Sequence, residues 1–460
     1  MKKRIIIAVS AAILTIAVAI GLAGCTSPTK STLGGVPIKE YSIVYSDADH
    51  DYSLRAAEYI RDSIEEVTGC SLPLIEDDET SESGYEIVVG ETSREISERL
   101  DAECEGLEFA ILGEEKQVAL EGDYFIIAAA AYYFIETYFP ENNYDAAVPS
   151  GVSVHEPIVK EAKNYIMLIG DGMGLYQTKL FDYLTDVSDY SDGENTFYGY
   201  MLPYSGFART NSLSGVTDSA AAGTALSCGT KTNNSCVGQL PDGTNLQSLT
   251  ELAMSLGKKA GVMSTEGSTG ATPSAFTAHT SSRDNKSDIQ DCQIEFEYLK
   301  GGLLECSFDR YDASGIAHVE KRITDSLARL KNENGFFLMY EEAHVDKHSH
   351  SNNIDKTFLA LIRFNQAIAR FMEFAFYNPD TFIIITADHE TGSLLPTDGG
   401  TLAYGSGDHS GADVPVFAYG YGAEVFDGVT VENIQIPQTI ASYWGVDDFG
   451  DQSNYGRLNK

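Results

Sequence analysis

Apolar and polar positions alternate along this chain in three textures. Behind the basic segment Met1–Arg4, residues 5–20 form an almost unbroken apolar run. From Tyr41 the apolar stretches shorten to strand length at Ser42–Tyr45, Leu72–Ile75, Tyr85–Val89, Phe109–Leu112 and Gln117–Leu120. Leu54–Val67 and Tyr124–Tyr138 instead carry the three-to-four spacing of amphipathic helices. This order predicts a small α/β unit ending near Pro149, with a linker through Pro157. After Lys163 the apolar runs are continuous: Tyr165–Ile169, Ala260–Ser264, Gly335–Tyr340, Thr381–Thr386 and Val414–Tyr419. Buried strands of this kind, separated by helical stretches, predict an α/β fold with a largely parallel central sheet and helices on both faces. Function in such sheets gathers at the carboxyl ends of the strands. Several acids and histidines of this chain fall at those ends.

A chain of 460 residues has room for two or three domains. The expected division is a signal peptide at 1–25, a flexible Ser/Thr/Gly/Pro-rich spacer at 26–37, the small α/β unit at 38–157 and the larger domain at 158–460. Leu22-Ala23-Gly24-Cys25 resembles a bacterial lipobox. That resemblance implies cleavage before Cys25, lipid on its sulfur and new amino terminus, and an exported protein tethered at the extracytoplasmic face of a bacterial membrane. A plain signal-anchor helix is the alternative. An exported chain permits disulfides among the six later cysteines, and sequence proximity suggests Cys70 with Cys104, Cys228 with Cys236, and Cys292 with Cys306. The net charge of −37 excludes a nucleic-acid scaffold, which needs a cationic face. It would also repel anionic substrates unless local cations invert the potential.

Candidate chemistry clusters at a few positions. Asp218-Ser219 precedes a run of small residues that reads as a helix, whose N-terminal N–H groups favour an alkoxide or a phosphoryl group. The bland reading is a helix cap. Asp171, between two glycines, follows the strand at 165–169; alone it would be an ordinary Asp-Gly turn. Glu341 ends another strand. Beyond it Asp346 and His350 are four apart, on one face of a helical turn, whereas His348 points elsewhere and His344 lacks an equally good pairing. Asp388-His389 ends the strand at 381–386, and His409 follows a glycine-rich turn. Carboxylate and imidazole ligands without cysteine suit catalytic zinc. Pro273 is placed to open a helix on which His279 and Arg283 would share a face, with Arg283 suited to bidentate phosphate contacts.

Taken together, Asp171 in its GDGMG turn, Thr217–Ala221, Thr272-Pro273 leading to His279 and Arg283, Glu341 with Asp346-Lys347 and His350, Asp388-His389, and His409-Ser410-Gly411 resemble the motifs of the alkaline phosphatase family, in the family's order. The resemblance spans about Asn164 to Asp447 and implies hydrolysis of small phosphate monoesters through a phosphoserine at Ser219. It implies one zinc on Asp346, His350 and His409, and a second on Asp171, Asp388 and His389 with Ser219. A magnesium on Asp171, Thr272 and Glu341 would complete the set, with Arg283 clamping phosphate and Asp218 orienting Arg283. Gly270, where relatives often carry Asp or His, leaves open whether the third position takes magnesium or zinc. The resemblance makes Lys347 a variable tuning position, from which an ammonium would reach phosphate through water. The short spans from Arg283 to Glu341 and from His389 to His409 predict an open pocket. The small N-terminal unit resembles the α/β domain ahead of the catalytic domain of α-glucuronidase-type glycoside hydrolases, which implies carbohydrate contact; a structural spacer is the alternative. Monomer against homodimer stays open. The rival activities are a phosphodiesterase or sulfatase of the same superfamily, and a carbohydrate-binding surface lipoprotein with an inactive phosphatase domain.

Overall fold

In a computed structural model, seven strands running one way and one running against them form the sheet that the apolar runs predict. The structure describes residues 31–450 except 47–50, 78–83, 101–103, 105, 115, 141–144, 148–150, 185–195 and 308–312. The expected signal peptide, Cys25 and spacer residues 26–30 lie outside the described residues. Among the described helices, none is long and apolar enough to cross a membrane.

The N-terminal part holds β1 (Tyr41–Tyr45), β2 (Leu74–Glu76), β3 (Tyr85–Val89), β4 (Phe109–Gly113), β5 (Gln117–Glu121) and β6 (Ser153–His155), in the order β2-β1-β3-β5-β4-β6. Strand β6 corrects the expected linker. Its Ser-Val-His sequence gives no apolar run, yet it pairs antiparallel with β4, and the His155 ring stacks on Tyr133 at 4.2 Å. The spacer is corrected too. Thr32–Leu33 and Val36–Pro37 pair as a hairpin through Gly34 and Gly35, and the buried Leu33 accepts a hydrogen bond from the Tyr41 hydroxyl on its carbonyl.

The main sheet contains β7 (Asn164–Gly170), β8 (Tyr204–Arg209), β9 (Lys259–Ser264), β10 (Leu303–Cys306), β11 (Phe336–Glu342), β12 (Thr381–Thr386), β15 (Val414–Tyr419) and β16 (Thr430–Glu432), in the order β10-β9-β11-β7-β12-β15-β8-β16. A separate two-strand ribbon, β13 (Glu390–Thr391) with β14 (His409–Ser410), lies between them in sequence. Only β15 opposes the other strands of the sheet. Every residue of β7, β11 and β12 is buried, so both faces of the sheet are covered. Strands β8, β10 and β16 escape the sequence pattern because they are short or half exposed. Register then positions the chemistry. Ile169 lies opposite both Glu341 and Thr386, so Asp171 and Asp388 each stand two residues beyond matched positions, at the same carboxyl edge.

The two parts are joined by more than a linker. Helices α1 (Tyr52–Thr68) and α2 (Ile127–Tyr138) face the main domain, α2 packing on the long α6 (Ile354–Tyr377). Arg55 pairs with Glu373 at 2.8 Å, Tyr59 stacks on Tyr377 at 4.4 Å, and one apolar cluster runs from Ile43 through Phe134 to Leu168. The expected disulfides are corrected. Cys104, Cys228, Cys236, Cys292 and Cys306 are free thiols, so none of the three expected pairs forms.

Candidate active site

Helix α3 (Ser219–Cys228) begins at the carboxyl edge of the sheet. Asp218 caps it, accepting a hydrogen bond from Ala221 N at 3.0 Å, and its second oxygen accepts from Ser235 N at 2.9 Å. The bland and the chemical readings of Asp218-Ser219 therefore coexist. The small-residue run has a packing reason. A Cβ on Gly223 would press on Ala275 and Thr272 of the short helix α4 (Ala271–Ala275), so the glycine lets the two helices close up. Ser219, only 4% exposed, holds its Oγ 3.2 Å from His389 Nε2.

The turn after β7 needs its glycine. Gly172 has φ +75°, and a Cβ there would meet Asp346 Cα at 2.8 Å and Thr391 Oγ1 at 2.9 Å. The freed N–H donates to Asp388 Oδ1 at 3.1 Å, locking two strand ends together. The β13–β14 ribbon sets Thr391 opposite His409. Helix α5 (His344–His350) carries Asp346 and His350, whose Oδ1 and Nε2 are 3.3 Å apart.

Hydrogen bonds fix the three imidazoles. A carbonyl only accepts, so the contacts of His409 Nδ1 with Thr217 O (2.8 Å) and His350 Nδ1 with Gly407 O (2.6 Å) place a proton on each Nδ1. Thr391 Oγ1 donates to Asp346 Oδ1 at 2.5 Å and so accepts from His389 Nδ1 at 3.2 Å. With Nδ1 so engaged, each of the three rings turns its Nε2 inward, as a lone pair in the neutral form. His350 and His409 Nε2 lie 3.2 Å apart, and His389 Nε2 lies 3.2 Å from Asp388 Oδ2. Lone pair facing lone pair is repulsive unless a proton or a cation stands between them.

Among the described residues, two sets bring three ligand atoms within 4.8 Å of one another: Asp346, His389 and His409, and Asp171, Asp388 and His389. Glu341 and His350 belong to neither set, although His350 Nε2 lies 3.3 Å from Asp346 Oδ1 and 3.2 Å from His409 Nε2. Yet Asp171 Oδ1, Asp388 Oδ2, Glu341 Oε1 and Thr272 Oγ1 are all buried without a hydrogen-bond partner. Burial, then the neighbouring Asp388 and Asp346, pushes the Asp171 carboxyl well above its ordinary range, and burial with Glu266 does the same to Glu341. Burial is also the main cause raising Asp388 to about 7. Burial opposes ionisation of Asp346, but the hydrogen bond from His350 and the nearby His389 outweigh it and hold Asp346 at about 2. So many buried acids can ionise together only beside cations. The donors, oxygen and imidazole without sulfur, fit zinc and magnesium.

Arg283 reaches the site by a route the sequence pattern misses. Helix α4 ends at Ala275 and Pro273 is its third residue, so His279 and Arg283 share no helix face. Arg283 Nη1 instead lies 3.7 Å from Asp218 Oδ2. His279 bonds Gly238 O and Glu251 Oε1, away from the ligand sets. His344 is held by Thr265 and Arg363 behind the site. Lys347 Nζ donates to Glu266 Oε2 at 2.8 Å. Glu266, Thr391 and Glu390 escape sequence reasoning because their roles come from tertiary contacts; Glu390 binds Gln177 and Ser410 and so props the ribbon.

Comparison with known proteins points the same way. The family model described as alkaline phosphatase matches residues 162–305 and 317–405. Alkaline phosphatase 3 of Bacillus subtilis (strain 168) is 30% identical over 286 residues, covering 50% of this chain and 62% of that protein. The chain thus spans less than two thirds of that relative's length. The structure of alkaline phosphatase from the Antarctic bacterium TAB5 superposes with a TM-score of 0.54 at 28% identity, covering 62% of this chain and 98% of that one. A variant of that enzyme, described with magnesium bound in its M3 site, matches at 27% identity and a TM-score of 0.54, over 64% of this chain and 100% of its own. With strand-end acids, inward-facing imidazoles and a buried serine on one sheet edge, and a family model that matches half its length, this chain belongs to the alkaline phosphatase family.

Proposed function

We propose that the protein hydrolyses phosphate monoesters, with Ser219 carrying the phosphoryl group covalently before inorganic phosphate is released. What supports this most directly is Ser219 Oγ, buried at a helix N-terminus beside His389, a residue common to both ligand sets. Asp346, His350 and His409 would hold one zinc, and Asp171, Asp388 and His389, with Ser219, a second. Asp171, Thr272 and Glu341 would hold magnesium. When bound, these cations supply the positive charge that offsets negative charge growing on the attacking and leaving oxygens.

The chain's own residues do the rest. Ser219 Oγ attacks phosphorus, the bond to the leaving oxygen breaks, and that oxygen departs as the protonated alcohol. The Arg283 guanidinium, oriented by Asp218, takes the non-bridging oxygens, and the first N–H groups of α3 add to it. Water then attacks phosphorus of the phosphoserine; phosphate leaves and the proton returns to Ser219. Comparing turnover of p-nitrophenyl phosphate, its bis-ester and the sulfate ester tests the reading, with monoester cleavage expected to dominate. Faster diester or sulfate cleavage would overturn it.

Export and tethering through lipid on Cys25 belong to the same proposal. They predict a detergent-phase protein with an acylated amino-terminal peptide, and release of the protein by Cys25→Ala.

A further inference from the structure

Between β9 and α4 the chain runs Ser264-Thr265-Glu266-Gly267-Ser268-Thr269-Gly270-Ala271-Thr272. Gly270 precedes α4 with φ −55°, a conformation open to any residue, so the backbone does not require glycine. The glycine provides space. A Cβ at 270 would lie 1.7 Å from Glu266 Oε1, 2.2 Å from its Cδ and 2.8 Å from its Cγ. The Glu266 side chain therefore fills the volume that any side chain at 270 would occupy.

Glu266 is also wired to the candidate site. Its Oε2 accepts from Lys347 Nζ at 2.8 Å, and its backbone N–H donates to Ser264 Oγ at 3.1 Å. That hydroxyl in turn donates to Glu341 Oε2 at 2.5 Å. Glu341, Thr272 and Asp171 are all buried, Thr272 lies beside Glu341, and Asp171 lies within electrostatic reach of both Glu341 and Glu266. Placing another carboxylate beside Glu341 and Asp171 is unfavourable in the protein alone. Lys347 offsets one charge and leaves the others facing each other. A hard divalent cation that keeps part of its water shell would reconcile them.

We propose that Glu266 is a further oxygen partner of the magnesium position, acting through ion-held water by its Oε1, in the place of the side chain that Gly270 lacks, with Lys347 fixing its Oε2. This rests on the third cation position proposed above. Glu266 is a positioning residue: it orders the shell around Glu341, Thr272 and Asp171 and touches no reacting atom.

Calorimetric titration of magnesium into zinc-loaded full-length protein tests it, alongside zinc content, melting temperature and p-nitrophenyl phosphate turnover. Glu266→Gln is expected to weaken magnesium binding about tenfold or more while both zinc ions stay bound. Gly270→Ala should do the same, because its methyl group evicts the carboxylate. Glu266→Ala combined with Gly270→Asp should recover affinity to within about threefold, since the new carboxylate grows from the vacated side. Unchanged magnesium affinity in Glu266→Gln, no effect of Gly270→Ala in a folded protein, or no magnesium binding by the native chain would each overturn the proposal. An inactive native protein whose magnesium affinity still depends on Glu266 would sink the phosphatase reading and leave this one standing.

Discussion

At the scale of single residues, the candidate site is built from side chains whose orientation is decided by neighbours one step away. Ser219→Ala is expected to lower kcat by about a thousandfold or more with zinc content unchanged, because the nucleophile goes and the imidazole and carboxylate donors stay. Near-native turnover with zinc bound would remove Ser219 from that role. Arg283→Ala should reduce kcat/KM by about a hundredfold, since Asp218 would then face the phosphate without its guanidinium. Much of this was legible in the sequence: Asp171, Glu341, Asp388 and His389 follow apolar runs, and a strand end is where a carboxylate can be displayed. Arg283 was legible as a phosphate-binding type of residue but not by its path, because the helix expected to carry it stops at Ala275. Thr391 and Glu266 were not legible. A threonine that sets an imidazole tautomer, or a glutamate that fills a glycine's space, leaves no local pattern.

Elements hold these residues through buried pairs. Glu342, fully buried at the end of β11, is gripped by Arg363 of α6 and accepts from His344 N and Thr265 Oγ1. Arg363→Met would strand that carboxylate and should cost about 3 kcal/mol in urea unfolding, most of it recovered by adding Glu342→Gln. A second pair ties the loop at His279 to the helix Leu249–Ser255. Burial opposes charge on both partners, but their mutual hydrogen bond holds Glu251 at about 2 and raises His279 above its ordinary value. The Glu251 contribution is present above its unfolded pKa and fades as pH falls towards 2. The His279 contribution is complete below its unfolded pKa and is lost as pH rises through the raised value. Glu251→Gln keeps the capping geometry at Ser248, so it should cost on the order of 1 kcal/mol near about pH 5.5 and clearly less near about pH 9. An equal cost at both values would mean the pair is not ionic. Helix existence was legible from spacing; these pairs, more than twenty residues apart in sequence, were not.

Across the whole molecule, the candidate ligand residues run from Asp171 to His409 and converge only when the sheet is complete. Chelation should therefore lower the melting temperature by several degrees, an effect reversed by returning zinc and magnesium, because the crowded acids repel when nothing offsets them. A melting curve indifferent to chelator would argue against resident cations. The fold class was legible because continuous apolar runs announce strands covered on both faces. The relation between the two parts was not, since amphipathic spacing shows that α1 and α2 bury a face but not against what. The stacking of Tyr59 on Tyr377 makes that partner α6, so removing residues 31–157 should leave a domain that aggregates.

The β13–β14 ribbon has a consequence of another kind. Its register sets Thr391 across from His409, and Gly392 N–H bonding to Asp408 O closes the ribbon where residues 393–407 leave it. Below that closure a one-residue insertion would swap His409 for its neighbour and take its imidazole out of the candidate site; above it, added length changes nothing in the pairing. The excursion can thus change length between Gly392 and Gly407 while His409 keeps its register, provided that the Gly407 carbonyl still meets His350 Nδ1.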